Sequence, residues 1–439
     1  MEKIIKLSLV TALTMSIVYA DGNVGAKDTV RKQVINVNKQ EVKITEDVSH
    51  IDELFTKGKV SGHLEVMYSG YNEGSTNNPT SANPYATAIG GQLKFETAHV
   101  SGFGAGVEFS TVQAVGILSG DNDKGERATM MVSNDGHYTE VSQAYLEYTK
   151  NNMTFRAGRQ LIDTPLADSD DIRIVNNTFE AYIATYERDN LFVLAGYLDR
   201  WQGTDAGLVD TWQNTGKDGT YLTGVNYELD VFHFSAWYYD ISDTNTNNSI
   251  GAGIGNKSIY IDGTFHALSK EDLTLDISVQ YLNQREDENS GTEANIYGFM
   301  VEAGISDLEL MAAYNKRNAD DDKTSFAGFG GGTLYTNMDN MIIDTISGGD
   351  VNAYVLGVSY VIRDVTAGYA YGSFKRDATI NLAKEDVIEH NFGVEYAAND
   401  NLTFFAIVTV DEDKEDTGTN AINNSGDFTN IRVSASYNF

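Results

Sequence analysis

The sequence predicts an all-β fold: a transmembrane antiparallel β-barrel of about eighteen strands, with short periplasmic turns and long external loops. Three observations predict it. Apolar and polar residues alternate in segment after segment, as the period of two requires of a strand with unlike faces. The start reads as an export signal and no later stretch can cross a membrane as a helix. The last eleven residues, Thr429 to Phe439, alternate Ile431, Val433, Ala435, Tyr437 and Phe439 against Asn430, Arg432, Ser434, Ser436 and Asn438. A wall with lipid outside and water inside explains that pattern.

Met1 to Ala20 has Lys3 and Lys6 in a basic start, an apolar stretch from Leu7 to Val18, and Val18-Tyr19-Ala20 before Asp21. This predicts a Sec-type signal peptide over 1–20. No run of about 18 apolar residues follows, so no transmembrane helix is expected. Export without a spanning helix, but with a lipid-style last strand, points to the bacterial outer membrane. Residues 21–58 form a polar periplasmic lead. Val30, Val34, Val37 and Ile44 suit either a short helical stripe or a flexible segment, and Ile51 to Phe55 suits one helical turn.

Composition agrees. The chain has 439 residues with 41 Gly, 25 Tyr, 3 Pro and no Cys. Tyrosine suits aromatic girdles at two interfaces. Pro79, Pro84 and Pro165 fall in expected loops, where no ladder hydrogen bond is lost. Without cysteine there is neither disulfide nor thiolate chemistry. Mean hydropathy is −0.31, which fits a barrel because only alternate residues meet lipid. A net charge of −32 excludes nucleic acid as a partner, since phosphate binding needs a basic footprint. The acidic runs Glu286 to Glu288, Asp320 to Asp322 and Asp411 to Asp416 read as solvated loop surface, with chelation of divalent cations between loops or against lipopolysaccharide as the alternative.

From Lys59 to Phe439 the pattern is strand, long polar loop, strand, tight turn. Leu273, Leu275, Ile277, Val279 and Tyr281 alternate with Thr274, Asp276, Ser278 and Gln280. Tight turns fall at 151–152, 189–190, 306–307, 363–364 and 399–400, each a dipeptide suited to a hairpin. The largest loop runs from about Lys316 to Asn352. Counting gives about eighteen strands, or sixteen if one hairpin is misread. A barrel of that size leaves an aqueous lumen. Its charged inward candidates are Glu65, Lys94, Glu96, Glu108, Asp262, Asp276, Glu302, Glu309, Glu395 and Arg432; in a dry core they would be prohibitive.

One stretch is more specific. Ala144-Tyr145-Leu146 is followed by Gly158-Arg159-Gln160, Thr164-Pro165-Leu166, Asp171-Ile172-Arg173 and Asn177-Thr178-Phe179-Glu180. In this order and spacing the sequence resembles the OprD-like outer-membrane porin family, in an epsilonproteobacterial-type branch. Phe55 to Gly62 also resembles the approach of such porins to their first strand, and the likeness runs from Asp52 to Phe439. It implies an eighteen-stranded channel whose third external loop, here 161–180 by the strand count, folds inward to narrow the pore. The implied constriction draws on Arg156, Arg159 and Arg173 facing Asp163, Asp168, Asp170, Asp171 and Glu180. Guanidinium suits such a site because it stays charged and binds carboxylates bidentately. Alternation from Phe155 and Ala157 turns Arg159 outward unless the strand bulges. Tyr437 and Phe439 resemble the aromatic ending that barrel-assembly machinery reads.

No enzyme constellation is present. The seven histidines are scattered without metal-ligand spacing, so no metal or cofactor is expected. Gly102, Gly104 and Gly106 open a strand rather than a helix, which favours wall packing over nucleotide binding. The expected function is passive diffusion of small hydrophilic or charged solutes, with cations drawn by the acidic mouth. The alternative is a surface-exposed adhesin or loop-display barrel with a plugged lumen. Expected partners are outer-membrane lipid, lipopolysaccharide, the assembly machinery and small solutes, in a monomer or homotrimer.

Overall fold

A computed structural model describes residues 47–73, 83–169, 173–207, 209–243, 253–270, 272–330, 332–414 and 427–439. The expected signal peptide and the lead as far as residue 46 lie outside these residues. The wall begins with β1 Lys59–Glu73, β2 Tyr85–Glu96, β3 Phe103–Ala114, β4 His137–Lys150, β5 Met153–Gln160 and β6 Thr178–Arg188. It continues with β7 Leu191–Gln202, β8 Thr220–Leu229, β9 Phe232–Ile241, β10 Asn256–Lys270, β11 Leu273–Glu286 and β12 Ala294–Ile305. The remaining strands are β13 Leu308–Asn318, β14 Val351–Ile362, β15 Val365–Arg376, β16 Glu385–Ala397, β17 Leu402–Asp413 and β18 Phe428–Asn438. Each pairs antiparallel with its sequence neighbour, and β18 pairs with β1 from His63↔Asn438 to Glu73↔Phe428. The eighteen strands therefore close into a barrel and leave no unpaired sheet edge.

Turn chemistry sets the alternation of short and long connections. Asn151, Asp189, Ser306 and Arg363 each open a two-residue turn with φ between 53° and 59°, a left-handed region that Asn and Asp tolerate best. Asn399 lies in a four-residue turn instead, its side chain accepting from the N–H of Asn401 and Leu402 at 2.9 and 3.0 Å. By the usual asymmetry of such barrels the short-turn end is periplasmic. There Asp47–Val48 pairs in parallel with His99–Val100 in a longer turn, and a single helical turn spans Glu53–Thr56. No described helix is long and apolar enough to cross a membrane; this barrel crosses with strands.

The outer face is apolar. Leu146 is 70% and Val279 55% exposed, with Leu64, Ile89, Phe392 and Val433 also outward. An apolar surface continuous around a wall is what lipid contact requires. Aromatic rings mark both of its borders. Tyr182, Tyr197 and Tyr221 line up across β6, β7 and β8 with centroids 6.4 and 5.0 Å apart, and Tyr354–Tyr371 continues the row. Near the short turns stand Phe103–Tyr148, Tyr396–Phe404 and Tyr437–Phe439.

The inner face is not uniformly wet, in contrast to the reading from sequence. Its charged residues concentrate on β1 to β5, toward the periplasmic half of β10 to β13, and on β15 to β18, where Arg376, Glu385, Glu389, Asp411 and Arg432 are buried. Large buried side chains such as Trp201, Trp237, Tyr239, Tyr260, Met300 and Phe374 point inward and pack against two loops. Burying such a side chain contributes about 1.5–3 kcal/mol, enough in sum to hold loops inside a barrel.

Candidate functional site

The first of those loops is the third, 161–177. The Thr164-Pro165-Leu166 element makes a tight hairpin, with Asp163–Thr164 pairing with Ala167–Asp168; proline presets the turn. Ser169 braces it, its hydroxyl accepting from Ile162 N–H at 2.8 Å and donating to Ile162 O at 3.1 Å. Ile162 and Leu166 are buried, and Leu166 N–H donates to the Tyr239 hydroxyl at 3.2 Å. Gln92 of β2 donates to Asn176 at 2.8 Å, fixing the far end.

The second is the seventh loop, 319–350, which the sequence marked only as the longest. It folds inward and joins the third. Asp168 N–H donates to Phe329 O at 2.9 Å, and Phe329 N–H to Leu166 O at 3.0 Å. Side chains of the wall stand in for a strand partner. Gln284 exchanges two hydrogen bonds with the Phe326 backbone at 2.9 and 3.0 Å, and Gln280 accepts from Tyr335 N–H at 2.9 Å. Arg317, wholly buried, donates to the carbonyls of Ile343, Ile346, Gly348 and Gly349 at 2.8–3.2 Å. The loop tip rests on β16 to β18: Glu389 accepts from Met341 N–H at 2.6 Å, and Asp339 pairs with Arg432.

Below these loops, on the wall from β2 to β5, runs a charged chain. Lys94 pairs with Glu96 at 3.0 Å, and Tyr145 donates to Glu96 at 2.6 Å. Arg156 stacks 4.2 Å from the Tyr145 ring and donates to Glu147 at 2.9 Å; Glu147 also meets His99 at 3.1 Å. The glycine stripe makes room for it. A Cβ at Gly104 would lie 2.7 Å from His99 Nε2, and one at Gly106 2.4 Å from the Tyr145 ring.

The residues expected at the constriction thus part company. Asp163 and Asp168 lie in the inward hairpin, where burial pushes the Asp163 carboxyl up to about 6. Arg173 is buried at the root of the loop, 3.4 Å from the Tyr71 hydroxyl. Arg156 faces the lumen from the wall. Asp170 and Asp171 lie outside the described residues. Arg159 and Glu180 are corrections. The pairing of β5 with β4 and β6 runs without a bulge through Arg159, placing it on the outward face with Ala157 and Glu180 on that of Tyr182, 62% exposed. They form an outer-rim cluster instead, Glu180 reaching Arg200 at 2.7 Å and Arg159 at 3.7 Å, with Trp212 against both guanidiniums.

The lumen-wall candidates all sit on strands. Glu65 meets His63 at 3.4 Å, and Glu108 accepts from Ser142 and Gln143 at 2.7 and 2.8 Å. Asp276 pairs with His266 at 2.8 Å and lies across from Glu302; Glu309 accepts from Ser359 at 3.4 Å. Glu395 stands opposite Thr366 on β15, and Asp262 lies 3.9 Å from His233.

Eighteen strands with two inward loops can be compared with solved structures. OccAB2 of Acinetobacter baumannii is 15% identical, with 88% of this chain and 99% of that one covered, at a TM-score of 0.72. OccK9 (OpdG) of Pseudomonas aeruginosa is 16% identical over 88% and 99%, at 0.71. The outer membrane protein OpdK of Pseudomonas aeruginosa is 14% identical over 88% and 99%, at 0.67. This chain has their fold. These neighbours are OprD/Occ family porins, the family that the motifs at 144–180 resemble. No family model and no curated protein matches the sequence.

Proposed function

We propose that this barrel is a bacterial outer-membrane porin that conducts small hydrophilic or charged solutes by diffusion, and not an enzyme. The observation that carries the reading is the joint between the third and seventh loops inside an eighteen-stranded wall, which narrows a lumen that size alone would leave wide. Selection follows from the size of the remaining path and the sign of its fixed charges. The lumen carries more carboxylates than guanidiniums, and the whole chain is at −32, so cations are favoured at the mouth and along the wall. Tyr437 and Phe439 supply the aromatic ending for the assembly machinery, and the acidic external loops face lipopolysaccharide.

Planar-bilayer recording in asymmetric potassium chloride tests this. The expected result is stepwise conductance with a reversal potential on the cation side. A folded protein that inserts without conducting would sink the reading and favour the display barrel.

A further inference from the structure

The periplasmic half of the inner wall holds a group that the loops do not explain. His233 on β9 is 2% exposed, and its Nδ1 lies 2.9 Å from Glu228 on β8. In the neutral imidazole that donates Nδ1–H to that carboxylate, Nε2 presents a lone pair. Nε2 has no hydrogen-bond partner and lies 3.9 Å from Oδ2 of Asp262 on β10. Asp262 is also 2% exposed; Ser235 stands across from it on β9, and neither carboxylate oxygen makes a well-formed hydrogen bond. One step along the same strand the arrangement repeats. His266 holds Asp276 through Nδ1 at 2.8 Å, and its buried Nε2 likewise has no partner.

An unpaired imidazole lone pair facing an unpaired carboxylate, both buried, is costly unless something lies between them. A histidine whose other nitrogen is held by a carboxylate is the usual arrangement around a metal ligand. Borderline divalent ions accept imidazole and carboxylate at about 2.0–2.2 Å each, and an N···O separation of 3.9 Å lies within the reach of two such bonds. Calcium and magnesium prefer oxygen alone. No group of three or more ligating side chains occurs among the described residues, so an ion here would keep water in its other positions. Weak, open binding is what a conduction path requires, since an ion must also leave. The seventh loop stands over this stretch of wall: Tyr335 donates to Val279 O at 3.1 Å, and Val279 lies opposite Gly263, next to Asp262.

We propose that His233 and Asp262, positioned by Glu228, form a transient binding station for a borderline divalent transition-metal ion on the lumen wall. Only its place on a transport path rests on the channel reading. Equilibrium dialysis of the full, folded protein in detergent against Zn²⁺, with Mg²⁺ as the contrast, reads binding directly. His233→Gln and Asp262→Asn should each weaken Zn²⁺ binding by about tenfold or more, and Glu228→Gln by less, with Glu228→Asp restoring part of the loss. Heat-modifiable migration confirms that each variant is folded, and either of the first two suffices if the other fails. In bilayers, Zn²⁺ should reduce the potassium current of the unaltered protein and not of the variants. Zn²⁺ binding unchanged in both variants, or matched by Mg²⁺, overturns the station. So does Zn²⁺ binding without any block of a conducting channel. Zn²⁺ binding by a protein that never conducts would overturn the channel reading alone.

Discussion

The third and seventh loops end in the same place by different means. The third turns on its own residues: Pro165 shapes its hairpin and Ser169 ties Ile162 to the far side. The seventh makes single turns of its own, at 334–337 and 342–346, and these are held in place from outside, by Arg317, Gln280 and Gln284 on the wall and by Glu389 at its tip. Gly330 is where they meet, at φ 77°, and a Cβ there would lie 2.3 Å from Asp168 O. A loop that carries its own fold should survive loss of an anchor. A loop that borrows its fold should not.

The largest effect should follow Arg317→Ala. It leaves the buried carbonyls of Ile346, Gly348 and Gly349 without this donor, at roughly 1–3 kcal/mol each, so the seventh loop should leave the lumen while the wall stays closed. Single-channel conductance should rise several-fold with heat-modifiable migration unchanged. An unaltered conductance would show that the loop is held by its apolar side chains alone. Gly330→Ala comes next. The left-handed backbone and the clash with Asp168 should pry the loops apart at their joint, giving an intermediate rise in conductance and open-channel noise.

The two arginines of β5 sharpen the contrast between inner and outer faces. Arg156→Ala uncovers Glu147 beside the path, where a unit charge is worth on the order of 1–4 kcal/mol to a passing ion, so cation preference should increase. Arg159→Ala, on the outer rim, should leave the reversal potential where it is. Equal shifts from both would place Arg159 in the pore after all.

The smallest effect concerns pH. Burial raises the Asp163 carboxyl to about 6, above the unfolded value near 4. The hairpin is therefore most stable below that lower value, loses stability as the pH climbs to about 6, and levels off beyond. Conductance should show a small step upward through pH 6, and Asp163→Asn should flatten it.

The barrel was legible in the sequence because its rule is local. Leu273, Ile277 and Val279 could be placed outside and Asp276 inside from alternation alone, and the turn dipeptides fixed where strands reverse. The third loop was marked in the sequence by its motif. The inward seventh loop was not, because its anchors lie far apart in the chain: Glu389 and Met341 are 48 residues apart, and a single buried arginine at a strand end has no pattern to announce it. Arg159 shows two rules in conflict. The motif placed it at the constriction, alternation turned it outward, and in the absence of a bulge alternation prevailed. The imidazole–carboxylate pairs were hidden for a similar reason. Of the pairs described, only His63 and Glu65 are near neighbours in sequence; the others are made across strands.

The seam between β1 and β18 bears on how such a wall can form at all. His63 and Asn438, 2.8 Å apart, are separated by 375 residues, and bringing such distant points together costs on the order of 5 kcal/mol in loop-closure entropy. That outlay comes before the ladder from His63 to Glu73 returns anything. Until then two full strand edges stand open, each a template for a stranger's backbone. The hazard for this chain is therefore timing. The seam carries the highest closure cost of any strand pairing in the wall, so the half-built sheet, not the finished barrel, is the species with edges to shield.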